Sequence, residues 1–287
     1  MNNIARRVRN IIEPQPVMEG AGVRLKRSIA TPTLDNLDPF LLFDHFGSKD
    51  PADYIRGFPM HPHRGIETVT YMIQGVVNHK DSIGNAGSIT SGDVQWMTSG
   101  SGIMHEEMPQ PCQDEMIGFQ LWVNLPARLK MGKPRYQNIF ADQIPQVSRP
   151  DGVKILVIAG QVDDVRGPVT EIEANPIYLD ISIPQNSEFI HPIQSGHTAF
   201  AYVFEGQGQF GSDGQETAIG HPRLVEFGDG DHVAIRTTDQ HVRFLLVSGK
   251  PLNEPIARYG PFVMNTQEEI QRALEDLRNG TFVKKIS

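Results

Sequence analysis

Val69-Thr70-Tyr71-Met72-Ile73, closed by Gln74-Gly75, decides the class of fold. β-Branched and aromatic residues fill the run and a glycine ends it. Side chains along a strand point to alternate faces, so this is a strand between turns. The pattern recurs in Val94-Gln95-Trp96-Met97, Phe119-Gln120-Leu121-Trp122-Val123 and Ile177-Tyr178-Leu179-Asp180-Ile181. Ser82-Ile83-Gly84-Asn85-Ala86-Gly87 and Gly211-Ser212-Asp213-Gly214 read as hairpin connections. With 27 Gly and 21 Pro spread through 287 residues, the chain reads as all-β, a sandwich or barrel. One segment differs. Ile270, Ala273, Leu274 and Leu277 follow helical spacing, with Asn265 or Thr266 as N-cap, Glu268 or Glu269 at N3 and Gly280 as the stop. A C-terminal amphipathic helix is predicted there.

A repeat is visible. Tyr71-Met72-Ile73-Gln74-Gly75 aligns with Tyr202-Val203-Phe204-Glu205-Gly206, and Gly92-Asp93 precedes His105 by the same interval as Gly228-Asp229 precedes His241. Two copies of one β-barrel follow, joined somewhere in Met131 to Asp151, where Pro134, Pro145 and Pro150 fall. The expected division is residues 1–135 as a metal-binding domain and 136–287 as a second domain, without metal, ending in the helix. In this alignment His61 and His63 fall opposite Pro192 and Gln194, and Glu107 opposite Arg243. Only His241 survives, and His191 lies one residue out of register, facing away. The second copy is expected to be structural or to wall the pocket of the first.

The formal net charge of −8 argues against a nucleic-acid or anionic-membrane surface. Arg6, Arg7 and Arg9 form a small basic cluster that reads as a solvated tail. The single cysteine, Cys112, cannot form an internal disulfide, which suits a reducing compartment. The first residues lack the apolar core of a signal peptide, and no apolar run approaches the roughly 20 residues of a membrane span. A soluble cytoplasmic protein is expected.

The chemistry is carried by His61-Pro62-His63 and by His105-Glu106-Glu107. Positions i and i+2 of a strand share a face, so His61 pairs with His63 and His105 with Glu107. Three imidazoles and a carboxylate converging from two strands make an N3O set suited to Fe(II), Mn, Co, Ni, Cu or Zn. Pro62 stiffens the backbone between two of the donors. Glu67, four residues after His63, has the same parity and is a candidate fifth ligand or a base behind the metal; Glu106 should face away. His79, His221 and His232 need no special role, and His45, in the apolar run Phe40 to Phe46, reads as a core or pocket-wall residue.

His61-Pro62-His63-Arg64-Gly65-Ile66-Glu67-Thr68-Val69-Thr70-Tyr71, Gly92-Asp93-Val94-Gln95-Trp96-Met97 and Gly102-Ile103-Met104-His105-Glu106-Glu107-Met108-Pro109 resemble the pirin family of the cupin superfamily. Leu37 to Gly47, Gly118 to Pro126 and Arg258-Tyr259-Gly260-Pro261-Phe262-Val263-Met264-Asn265-Thr266 extend the resemblance over most of the chain. It implies a bicupin, with jelly-roll-like barrels and metal only in the N-terminal one. It also implies His61, His63, His105 and Glu107 as ligands, with Glu67 behind them rather than on the ion.

Four protein ligands on an octahedral ion leave up to two positions for substrate or O2. Some members are similar to quercetin 2,3-dioxygenases, which open the flavonol ring with O2 and release carbon monoxide. On that reading the ion, Fe(II) first among the candidates, acidifies the flavonol 3-hydroxyl, and Glu107 or Glu67 takes its proton. Phe46, Phe58, Met97 and Met104 are candidate pocket residues. Other members resemble non-enzymatic, metal-dependent regulators that bind a protein partner in transcription or metabolism. A deep pocket reaching the metal would favour the enzyme, a shallow mouth beside an apolar patch the regulator.

Overall fold

The computed structural model describes residues 4–212 and 214–284; Met1 to Asn3 and Asp213 of the expected hairpin connection lie outside the described residues. The strands are β1 (Val8–Ile12), β2 (Gln15–Glu19), β3 (Val23–Ile29), β4 (Phe40–Ser48), β5 (Phe58–His63), β6 (Ile66–Gln74), β7 (Val77–Asp81), β8 (Ala86–Ile89), β9 (Val94–Thr98), β10 (Ile103–Pro109), β11 (Met116–Asn124) and β12 (Arg135–Ile139). They continue with β13 (Gln146–Ser148), β14 (Lys154–Ala159), β15 (Gln161–Val162), β16 (Val165–Arg166), β17 (Ile177–Ile183), β18 (Glu188–Pro192), β19 (Thr198–Phe210), β20 (Thr217–Gly220), β21 (Arg223–Phe227), β22 (His232–Arg236), β23 (Val242–Gly249), β24 (Ala257–Tyr259) and β25 (Phe262–Met264). The one α-helix among the described residues is α1 (Gln267–Arg278). It is not long and apolar enough to cross a membrane.

Two compact units form, one from residues 15–141 and 252 onward, the other from residues up to Pro14 and 142–251. Both repeat one design. The first pairs its strands as β12-β9-β6-β11-β4-β3-β2 and β5-β10-β7-β8; the second pairs them as β1-β21-β19-β23-β17-β14-β13 and β18-β22-β19-β20. The long β19 takes the places of both β6 and β7.

The inner boundary falls after Ala141 rather than at 135, because β12 hydrogen-bonds to β9 as an edge strand of the first unit's larger sheet. The chain ends also change sides relative to the expected division. In the second unit β1 pairs with β21 and supplies the edge strand that β12 supplies in the first. The C-terminal segment belongs with the first unit. Ile270 and Ala273 of α1 bury their side chains with Phe262, Met264 and Phe282, and Met104 packs against that cluster. The start of α1 is as predicted: Thr266 Oγ1 accepts from Glu269 N at 3.2 Å, while the Glu269 carboxylate accepts from Thr266 N at 3.0 Å.

The second unit shows where a fixed alignment offset slips. The stretch from His191 to Tyr202 is longer than that from His63 to Tyr71, so the register changes between the two copies. By strand pairing, β22 rather than His241 corresponds to β10. Phe189 opposite Ile235 replaces His61 opposite His105, and His191 opposite Val233 replaces His63 opposite Ile103. His191 therefore shares the inward face with Phe189, their rings stacked at 5.9 Å, instead of pointing away. His241 lies before β23 and pairs with Glu205 at 2.9 Å near the surface. Phe189, Phe210, Ile235 and Phe244 fill this interior with groups that carry no ligand atom.

Candidate metal centre

In the first unit β10 lies between β5 and β7. Burial alternates along it: Ile103, His105, Glu107 and Pro109 are buried, and Met104, Glu106 and Met108 less so. Inward parity therefore belongs to His105 and Glu107, with Glu106 on the other face. His61 stands directly opposite His105, and a bulge between His105 and Glu107 brings Glu107 opposite Phe58. His63 is one step further along β5 and fully inside.

The three imidazoles converge. Their candidate donor nitrogens all lie within 4.8 Å of one another, and His61 Nε2 is 3.0 Å from His63 Nε2. His61 Nδ1 lies 2.9 Å from the Pro59 carbonyl; a proton held there leaves Nε2 with its lone pair directed inward. Burial, reinforced by His61, holds His63 well below the ordinary histidine pKa. Burial, then His63 and His61, does the same to His105. Both ring nitrogens of His105 are buried without a hydrogen-bond partner among the described residues. Imidazole nitrogens at one focus, with His63 and His105 kept neutral by burial and His105 without a hydrogen-bond partner, fit a divalent transition ion, because only the neutral ring can ligate.

Glu107 stands beside this group, its Oε1 3.0 Å from the Thr70 hydroxyl, which also lies 2.8 Å from Gln120 Oε1. Burial raises the Glu107 pKa, against the opposing pull of His61 and of the Thr70 hydrogen bond. Glu67 is placed elsewhere. Thr70 and Gln120, register partners on β6 and β11, line the cavity, and Glu67 is of opposite parity to Thr70 on the same strand. The Glu67 carboxylate accepts a hydrogen bond from Thr98 at 2.7 Å. Parity counted from His63 fails because Gly65 turns the chain between β5 and β6, which lie in different sheets. Its φ is +81°, and a Cβ there would sit 2.0 Å from the Val263 carbonyl oxygen.

A cavity of about 490 Å³ reaches this centre, within the range of small-molecule sites. His61, His63, Thr70 and Glu107 form part of its wall, with Leu25, Phe46, Phe58, Val77 and Trp122 as apolar lining. Phe46 and Phe58 are thus where the sequence placed them. Met97 is buried outside the cavity lining, and Met104 packs against the cluster formed by α1. Trp122 touches His63 edge-on, ring centroids 5.1 Å apart. His45 packs on Phe119 at 4.9 Å and takes no part. Thr70, Gln120, Arg27, Asp44 and Arg258 also line the cavity and carry no local sequence signal, since strand pairing alone brings them there.

Residues 22–123 match the family profile described as pirin, and residues 178–283 that of the pirin C-terminal cupin domain. The chain is 42% identical over 281 residues to a Pseudomonas aeruginosa protein named "putative quercetin 2,3-dioxygenase", covering 96% of this chain and 98% of that one. It is 43% identical over 264 residues to human pirin, covering 91% and 88%. A crystal structure of a quercetin 2,3-dioxygenase from Acinetobacter baumannii matches with a TM-score of 0.88 at 33% identity, covering 97% and 99%.

Proposed function

The chain belongs to the pirin family, and we propose that it is a metal-dependent dioxygenase that opens flavonols such as quercetin with O2. His61, His63, His105 and Glu107 are proposed to hold one divalent transition ion, Fe(II) first, with Mn, Co, Ni, Cu or Zn as alternatives. The observation that carries this reading is the focus of three imidazoles, two of which, His61 and His63, stand in the wall of a largely apolar cavity of small-molecule size. When bound, the ion would supply Lewis acidity and a site for O2.

The chain's own groups have defined tasks. Phe46, Phe58 and Val77 bury the flavonol rings and exclude water. Glu107, whose proton affinity burial raises, receives the proton of the 3-hydroxyl, with the Thr70 hydroxyl holding its carboxyl in place and Gln120 beside Thr70. Glu67, on the other face of β6 and bonded to Thr98, supports the strand rather than the proton transfer. A regulator that docks a protein partner would need a shallow, open mouth; the cavity reaching His61 and His63 favours a small molecule instead. The single cysteine and acidic chain suit a reducing cytoplasmic setting.

The test is O2 uptake with loss of the flavonol absorbance band, using protein reconstituted separately with Fe(II), Mn(II), Ni(II) and Cu(II). Turnover that follows the metal and vanishes in His61→Ala/His105→Ala supports the dioxygenase. Metal binding without turnover for any ion overturns it in favour of the partner-binding regulator.

A further inference from the structure

Two arginines line the cavity, and they differ in how their charges are met. Arg27 is spent within the protein. Its Nε and Nη2 donate to Asp44 at 2.8 and 2.7 Å, and its Nη1 donates to Glu19 at 2.7 Å. Arg258 has no carboxylate within ion-pair distance among the described residues. Its Nη1 donates to the Leu41 carbonyl at 3.2 Å, and its guanidinium carbon lies 5.0 Å from the Trp122 ring centroid. One backbone oxygen takes one of the five N–H donors of a guanidinium. Trp122 meets His63 edge-on and carries Arg258 over its ring, so one side chain links the histidine focus to a cation that has no direct ion pair and that Asp35, Asp44 and Glu19 stabilise only at longer range.

We propose that the cavity selects planar aromatic chelators that carry a carboxylate, and that Arg258 is the residue that recognises it. The chelating end lies at the histidines, which rests on the function proposed above; the ring system lies along Trp122, and the carboxylate meets the Arg258 fork. Arginine suits this position because its planar fork accepts a carboxylate through two parallel hydrogen bonds while still stacking on an indole. Arg27 cannot serve, since Asp44 already occupies its fork.

The test compares 3-hydroxyflavone with 3-hydroxyflavone-4′-carboxylate, by calorimetric titration of the protein loaded with redox-inert Zn(II), in wild type, Arg258→Gln and Arg258→Lys. A charge-assisted bidentate contact predicts roughly tenfold tighter binding of the carboxylate in wild type. The ratio of the two affinities should fall to about one in Arg258→Gln, with Arg258→Lys between, since an ammonium keeps the charge but loses the fork. Equal binding in wild type, a ratio that survives Arg258→Gln, or no binding of either flavonol overturns the proposal. If Arg258→Gln does not fold, the wild-type ratio and its reduction in Arg258→Lys decide. A preserved preference with no O2 uptake under any metal would overturn only the dioxygenase reading.

Discussion

His61 and His105 are register partners across the β5–β10 pair, their ring centroids 4.4 Å apart. Two imidazoles at this distance, one of them fully buried, repel when charged and cooperate when a cation lies between them. The site is thus a poor place for protons and a good one for a metal ion.

His105→Ala should therefore abolish tight metal binding. Outer partners of metal ligands are worth about 10–100-fold in affinity, so loss of a ligand should exceed that. Competitive titration of Zn(II) or Ni(II) against a chromophoric chelator reads it directly. A variant that keeps wild-type affinity would remove His105 from the site.

Thr70→Val keeps the shape of the side chain and removes the hydroxyl beside Glu107. That hydrogen bond favours the ionised carboxylate, so its loss should raise the Glu107 pKa further. The acid limb of the flavonol pH–rate profile should move to higher pH, with activity down by on the order of tenfold. An unmoved acid limb would separate Glu107 from the proton transfer.

The metal-free protein should lose stability in mild acid. His63 and His105 resist protonation in the fold, whereas in the unfolded chain they take protons near pH 6.5. Below that value the unfolded state binds more protons, and each group costs up to about 1.4 kcal/mol per pH unit until its folded pKa is reached. His191, lowered to about 4, adds the same slope in the second unit. Glu107, raised by burial, acts in the opposite sense, holding in the fold a proton that the unfolded chain releases. Urea midpoints at pH 7.5, 6.5 and 5.5 should fall toward acid, less so in His105→Gln; a flat series would contradict the burial of neutral histidines.

Phe189→Ala should cost about 3–5 kcal/mol, as for other buried aromatics. Phe189 is fully buried and packs against His191 and Phe244. His61→Ala, at the corresponding position of the first unit but only partly buried, should cost far less in the metal-free protein. Urea unfolding of the two variants makes the comparison, and equal losses would contradict a packed interior in the second unit.

The residues of the site were legible because strand parity is local. His61-Pro62-His63 and His105-Glu106-Glu107 each lie within one strand, so alternation alone puts His61 with His63 and His105 with Glu107. Parity counted from His63 does not carry to Glu67, because the left-handed backbone at Gly65 ends one strand and starts another. The places of His191 and His241 depart from the fixed offset because a longer connection shifts the repeat, which no local pattern records. Met104 looked like pocket lining and instead packs against a cluster contributed from the C-terminal end of the chain.

The sequence by itself determined the all-β class, the two-copy organisation, the capped C-terminal helix and the histidine set, because period, turn chemistry and capping act over a few residues. Only the tertiary structure decided which unit each chain end completes. It alone brought Thr70 to Glu107 and Gln120 to Thr70, and left Arg258 without a direct ion pair where Arg27 has two. Those outcomes depend on which strands pair and in what register, and pairing joins residues far apart in sequence that no short motif connects.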